Sequence, residues 1–552
     1  MVWRAEGGRE SDGFMEHSGI ACTVVSSTVV SSTVVSSTVV SSTVVIGIGA
    51  LTAAEVVSIA RRDAPIVIDA AARAAVQASR ETIEHLATDT EPHYGISTGF
   101  GALATTFIAE DRRRQLQRSL VRSHAAGSGQ EVERDTVRSM MALRLSTLLT
   151  GRTGIRPETA EAYAGLLNAG ITPVVREYGS LGCSGDLAPL AHCALALIGE
   201  GTVRDRDGIR MPAAEALASA GLSPIVLAEK EGLALINGTD GMLGQLVLAL
   251  DDLGRLLATA DLSAAMSVEA LLGTDAVFAE DLAALRPQSG QQLSAANLRR
   301  LLAGSPIVQS HKGPECTRVQ DAYSLRCAPQ VHGAARDTAI HAATIAGREL
   351  ASAVDNPVVT LDGRVESNGN FHGAPIAYVL DFLAIVVADV ASMSERRTDR
   401  MLDPSRSQGL PAFLAHEVGV DSGLMIAQYT AAGIVSQLKR LAAPASVDSI
   451  PSSAMQEDHV SMGWASARKL RSAIDGLTRV LAIEILTASR AIDLRAPLLP
   501  GLATGAAVAE VRRDVAGPGP DRYLSPEIES VVEAVASGRI LAAVRTVIGD
   551  FT

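Results

Sequence analysis

Cys183, Ser184 and Gly185 stand at the centre of Gly179-Ser-Leu-Gly-Cys-Ser-Gly-Asp-Leu-Ala-Pro-Leu-Ala-His192, and their order permits a reaction of the backbone itself. In a tight bend the Gly185 amide nitrogen can attack the Cys183 carbonyl carbon and close a five-membered ring. Glycine suits the attacking position because, without a Cβ, it tolerates backbone shapes and close approaches that other residues resist. Loss of two waters then turns the Ser184 side chain into an exocyclic methylene conjugated with the ring. The product is a carbon electrophile made from the chain alone. Cys183 contributes only its carbonyl and Cα, so its thiol is a spectator. A plainer reading of the same letters is a glycine-rich turn opening a helix over Leu187–Leu197. A serine-hydrolase elbow does not fit, because Gly182-Cys-Ser184-Gly-Asp186 lacks the second glycine of G-x-S-x-G.

Other residues able to bind or move protons gather in polar loops. His93-Tyr94-Gly95-Ile-Ser-Thr98-Gly99-Phe100-Gly101 sets a tyrosine in a run whose backbone must bend sharply or approach a ligand. Arg122-Ser123-His124 follows a helical run, and a lone histidine there is more often a satisfied group than a ligand. Leu235-Ile-Asn237-Gly238-Thr239-Asp240-Gly241 is an apolar-to-glycine bend carrying one amide side chain. Later loops hold Gln320-Asp-Ala-Tyr323-Ser-Leu-Arg326, Asp355-Asn356-Pro357, Asn368-Gly-Asn370-Phe371-His372 and Gln456-Glu457-Asp458-His459. The 11 histidines include no H-E-x-x-H and the cysteines no paired spacing, so no metal centre is expected.

Helices must position these loops. Alanine and leucine dominate a chain of 552 residues that is 47% hydrophobic and only 3% aromatic, a composition that favours helix. Thr52-Ala-Ala-Glu55 is a capping box that starts one helix. Others are expected over 70–86, 111–121, 132–149 and 157–169, with Gly170 as a stop. The long runs 243–272, 332–354, 374–400, 425–441 and 465–491 imply a bundle. Residues 200–230 read as an irregular excursion. The fold class is therefore mainly α. Residues 1–45 form a low-complexity tail, 46–245 a smaller mixed region carrying the tripeptide, and 246–552 the long-helix region. From Thr23 to Val45 the tail repeats Thr-Val-Val-Ser-Ser, which is not how a packed core is written.

A net charge of −13 argues against nucleic acid or anionic membrane as a partner and fits a protein that handles small molecules. Five cysteines, Cys22, Cys183, Cys193, Cys316 and Cys327, suggest reduced thiols in the cytoplasm. No secretory signal is visible. The most apolar stretch, 374–390, carries Asp381 and Asp389, so no membrane span is expected.

Taken in order, the motifs resemble the aromatic amino acid ammonia-lyase family over roughly residues 48–500. The central stretch is similar to the family's cofactor signature, with Cys183 in place of the commoner alanine. His93–Gly101 resembles its Tyr-Gly-x-x-Thr-Gly-Phe-Gly loop, and Gln320–Gln330, Asn370–His372 and Gln456–His459 match in sequence. The resemblance implies a long helix bundle of the fumarase/aspartase type and a homotetramer with shared active sites. It also implies a methylidene-imidazolone (MIO) prosthetic group formed from Cys183-Ser184-Gly185, with no external cofactor. An electrophile that captures the substrate amine makes it a better leaving group. Tyr94 is then the base for the β-proton and Arg326 the two-pronged partner of the substrate carboxylate. Asn237 and Gln320 bond substrate or prosthetic group, Tyr323 lies close to that group, Phe371 lines the site, and Asp186 assists ring formation. A helix starting after Gly185 would sharpen the electrophile through its N-terminal partial charge.

Ser123-His124 resembles the pair found in histidine-selective members, and Glu457 the carboxylate placed near the imidazole. A phenyl ring would leave that carboxylate unpaired. The resemblance thus implies a carbon–nitrogen lyase taking L-histidine to trans-urocanate and ammonia, the first step of histidine breakdown. Alternatives are the same elimination on tyrosine or phenylalanine, a 2,3-aminomutase, a catalytically silent scaffold, and a fumarase-like lyase without a prosthetic group. Asp240 and Ala351 depart from the residues usual in histidine-selective members, glutamine and asparagine.

Overall fold

A computed structural model describes residues 42–552 apart from 90, 315, 317 and 318. Five long helices carry the architecture: α1 (Asp240–Ala270), α2 (Ala328–Leu350), α3 (Ala374–Leu402), α4 (Met425–Leu441) and α5 (Gly463–Asp493). α1 is buried almost all round, as a helix wrapped by others must be. It packs on α2, α3 and α5, while α4 covers α3 and α5 from outside.

Contacts at the helix ends fix their directions. Asp186 accepts the Met242 amide in the first turn of α1 at 2.8 Å, and Met462, just before α5, donates its amide to Leu181 O at 2.9 Å. At the opposite ends Arg495, beyond α5, donates to the carbonyl of Ala270, the last residue of α1. α1 and α5 are therefore parallel, with the tripeptide at their N-terminal ends. α3 runs the same way: Gly373 before it abuts Met242, and Arg397 near its end pairs with Glu484 in the second half of α5. α2 is antiparallel to these. His332 near its start meets Asp261 late in α1 at 2.8 Å, and Glu349 near its end accepts from Thr239 at 2.6 Å.

The expected helices form, with ends shifted by a few residues. Thr52 and Glu55 make the capping box that opens Ala53–Arg62, and left-handed Gly170 closes Pro157–Ala169. The helix expected over 111–121 lies at Arg113–His124. Residues 200–230 are a correction: Thr202–Arg204 pairs antiparallel with Arg210–Pro212, and a helix follows over Ala213–Ser219. Strands of three residues are too short for alternation to show in sequence.

Val44–Ile46, which takes in the last two residues of the repeat, pairs in parallel with Ile66–Ile68. The repeat before Ser42 lies outside the described residues. From there on the chain clusters as one unit, and α1 runs across the division expected between 245 and 246. α3 is long and apolar enough to cross a membrane, yet 61% of its most apolar window is buried inside the protein. Asp381 on it is paired with Lys469 at 2.5 Å and accepts the Ser466 hydroxyl at 2.8 Å.

Candidate active site

The tripeptide is bent by two left-handed glycines, Gly182 (φ 67°) and Gly185 (φ 75°). Gly185 lies in a parallel bridge with Gly238, and Asp186 donates its amide to Gly238 O at 2.7 Å. A Cβ at position 185 would fall on that carbonyl, so glycine is required for space as well as for φ. From the other side, Ser461 donates to Gly182 O at 3.0 Å. The helix over Leu187–Leu197 begins immediately after Asp186.

Asp186 is fully buried and accepts the Ser180 hydroxyl at 2.9 Å and the Met242 amide at 2.8 Å. Burial pushes its carboxyl up to about 7, against those hydrogen bonds. Burial likewise pushes the Cys183 thiol up to about 12, with the Glu457 carboxylate adding to the shift, so the thiol stays protonated.

Ser184 donates its hydroxyl to Asn237 Oδ1 at 2.5 Å. Asn237 Nδ2 donates to Asn356 O at 2.9 Å and to Asp355 Oδ1 at 3.4 Å. Asp355 in turn takes Lys230 Nζ at 2.6 Å, and Arg144 donates to the carbonyls of Asn237 and Val354 at 2.7 and 3.0 Å. Arg144 also pairs with Asp240 at 3.1 Å, which gives this aspartate a buried partner.

Glu457 sits in a small loop closed by Ser452, whose amide donates to Glu457 O at 2.9 Å and whose hydroxyl donates to Glu457 Oε2 at 2.8 Å. Its charge acts on Cys183 and on His124. His124 Nδ1 donates to Leu120 O at 2.9 Å, which leaves Nε2 as an acceptor. Burial lowers its pKa, against that bond and against Glu457. Tyr94 accepts the Gly101 amide on its phenol oxygen at 3.2 Å, and its ring meets Phe100 edge-on. The Gly101 turn touches Ser453 in the Glu457 loop. Two residues past Glu457, His459 stacks on His372, the neighbour of Phe371.

The structure thus gathers Tyr94, His124, Cys183–Gly185, Asn237 and Glu457 at one end of the bundle, with Phe371 at its rim. Gln320, Tyr323 and Arg326 are at the other end. Arg397 on α3 donates to Ser324 O at 3.3 Å, and the short helix Tyr323–Arg326 leads straight into α2. Asp321 accepts the Thr274 amide, just beyond the C-terminus of α1, at 2.7 Å. α1 has 31 residues, so about 45 Å separates this end from the tripeptide. Tyr323 is 70% exposed, with the Arg326 guanidinium 4.6 Å from its ring centroid. Arg326 Nε is buried without a hydrogen-bond partner among the described residues.

Two residues of the site were not picked out from the sequence. Arg144 stands in the apolar helical run Met140-Met-Ala-Leu-Arg-Leu145, where an arginine signals a buried partner. Lys230 lies in Glu229-Lys-Glu231, which looks like any solvated charge run. Among the described residues no cluster of three metal-ligating side chains occurs.

The model of the family described as aromatic amino acid lyase matches residues 51–513. The chain is 61% identical to a histidine ammonia-lyase of Streptomyces griseus, over 92% of this chain and 99% of that one. It is 50% identical to a histidine ammonia-lyase of Sorangium cellulosum, over 90% and 98%. Among solved structures, histidine ammonia-lyase from Trypanosoma cruzi superposes with a TM-score of 0.84 at 39% identity, covering 91% of this chain and 95% of that one. Tyrosine aminomutase from Streptomyces globisporus gives 0.86 at 38% identity, covering 91% and 98%.

Proposed function

The chain belongs to the aromatic amino acid lyase family, and from that premise we propose that it is a carbon–nitrogen lyase converting L-histidine to trans-urocanate and ammonia. The observation that carries histidine over another aromatic amino acid is Glu457. Its carboxylate is fixed by Ser452 beside both Cys183 and His124. An imidazole N–H can fill the acceptor capacity that Ser452 leaves on this carboxylate, whereas a phenyl ring has no donor to offer it.

Cys183-Ser184-Gly185 fits the self-made methylidene-imidazolone: it is bent by left-handed glycines, and at 185 only glycine fits. That ring, once formed, supplies an electrophile toward the substrate amine. The remaining work falls to side chains. Tyr94 takes the β-proton on its phenol oxygen, which the Gly101 N–H holds in place by a hydrogen bond. Arg326, stacked on Tyr323 and with Nε unpartnered among the described residues, offers a planar fork to the substrate carboxylate. Asn237 and Gln320 hold substrate or ring by hydrogen bonds, and Phe371 walls the site.

The 45 Å span of α1 has a consequence for assembly. Arg326 and Tyr323 cannot reach the Ser184 of their own chain, so a second copy must bring them. A homotetramer with shared sites meets that need. Free thiols at Cys183, Cys193, Cys316 and Cys327 support a reducing, cytoplasmic setting.

The test is to offer purified protein L-histidine, L-tyrosine and L-phenylalanine and to follow products by absorbance and chromatography. Urocanate and ammonia from histidine alone are expected. Cinnamates, or a β-amino acid, would overturn the substrate assignment.

A further inference from the structure

We propose that Asp355 and Lys230 are positioning residues that lock the Asn237 amide with Oδ1 toward Ser184, and that the tripeptide needs this lock to mature. The inference rests on the reading that Cys183-Ser184-Gly185 closes into a ring.

An asparagine side chain has one acceptor and one double donor, and its surroundings decide which faces where. Around Asn237 two of the three neighbours can only accept: Asn356 O at 2.9 Å and the Asp355 carboxylate at 3.4 Å. Nδ2 must face both, which leaves Oδ1 for the third neighbour, Ser184 Oγ, at 2.5 Å. Turning the amide over would set Oδ1 against a carbonyl and a carboxylate.

Asp355 is itself held on both oxygens. Oδ1 accepts its neighbour's amide, Asn356 N–H, at 2.8 Å, and Oδ2 takes Lys230 Nζ at 2.6 Å. The Lys230 and Asp355 side chains are fully buried. Lys230 and Asn237 flank the same short helix, Glu231–Ile236, so both ends of that helix reach Asp355. Arg144 ties the Asn237 and Val354 carbonyls together and fixes the backbones on either side.

The lock makes Ser184 a donor and holds its hydroxyl in one place. In ring formation the Gly185 N–Cys183 C bond forms, and the first water carries away the Cys183 carbonyl oxygen with the amide protons of Gly185 and Ser184. The second water takes the Ser184 hydroxyl and a proton from the Ser184 Cα. Both losses happen on a serine whose side chain Asn237 has immobilised.

The experiment is intact mass on folded, soluble protein of wild type, Asp355→Asn and Lys230→Met/Asp355→Asn. In Asp355→Asn the lysine claims the new amide oxygen, so the new NH2 faces Asn237 Nδ2 and the Asn356 N–H. Asn237 then turns over and abandons Ser184. The fraction of chains lacking two waters is expected to fall about tenfold or more. Removing the lysine as well lets the new amide offer its oxygen to Asn237, and the deficit is expected in most chains again, although the double variant is the more heavily altered. General damage gives the opposite order.

An Asp355→Asn protein with the full deficit would overturn the proposal. So would a folded double variant without it. A wild type without the deficit would remove the ring itself, so the two readings fail separately.

Discussion

Asp186 joins the tripeptide to the bundle, and its carboxyl is displaced to about 7 by burial. The sign of the linkage follows from that displacement. A carboxyl raised above its unfolded value near 3.8 contributes stability that is fully present below that value and is lost as pH rises through about 7. The slope within the window is about 1.4 kcal/mol per pH unit. Asp186→Asn does not titrate, so the wild-type Tm minus the variant Tm isolates this group. The difference is expected to fall from about pH 4 to about pH 7 and to level off above that, and a flat difference between about pH 4 and about pH 7 would show that folding does not raise the Asp186 carboxyl. At the same scale the sequence was informative where a residue's chemistry is uncommon. Tyr94 among glycines, Ser184 before glycine, and Glu457 in a polar loop all stood out. Lys230 did not, because a lysine between two glutamates looks solvated until the fold buries it against Asp355.

The helices were legible for a different reason. Periodic apolar runs survive any ambiguity about their ends, which the structure moves by a few residues. Direction was not legible: nothing local says that α1, α3 and α5 run parallel, since this depends on contacts such as Arg397–Glu484. That pair lies fully buried, Nε to Oε1 at 2.5 Å, with Ser263, Ser267 and Ser394 also donating to the carboxylate. Against burial, Arg397 and the hydroxyls hold Glu484 below the usual carboxylate range. Through Ser324 O the same arginine fixes the turn that carries Tyr323 and Arg326. Arg397→Met leaves Glu484 uncompensated and is expected to cost about 3–5 kcal/mol, with Arg397→Met/Glu484→Met recovering most of it. Thermal unfolding checks this, and a double variant as unstable as the single would show that the pair is not the cause.

For the whole molecule, the separation along α1 sets two groups of motifs at opposite ends of the bundle, and in the proposed assembly they serve different sites. Sequence order could not reveal this, since all the motifs lie on one chain. Ser184→Ala and Arg326→Met are each expected to be inactive alone. Co-expressed in equal amounts they are expected to recover roughly a quarter of wild-type activity, because each site draws the two residues from different copies. No recovery would place both residues in one chain's site. The most direct measurement of the central claim is the intact mass of wild type against Ser184→Ala, beside urocanate release from L-histidine. The account expects wild type to lack two waters that Ser184→Ala retains, with urocanate formed by wild type alone. Active wild type at its full, unmodified mass would contradict it.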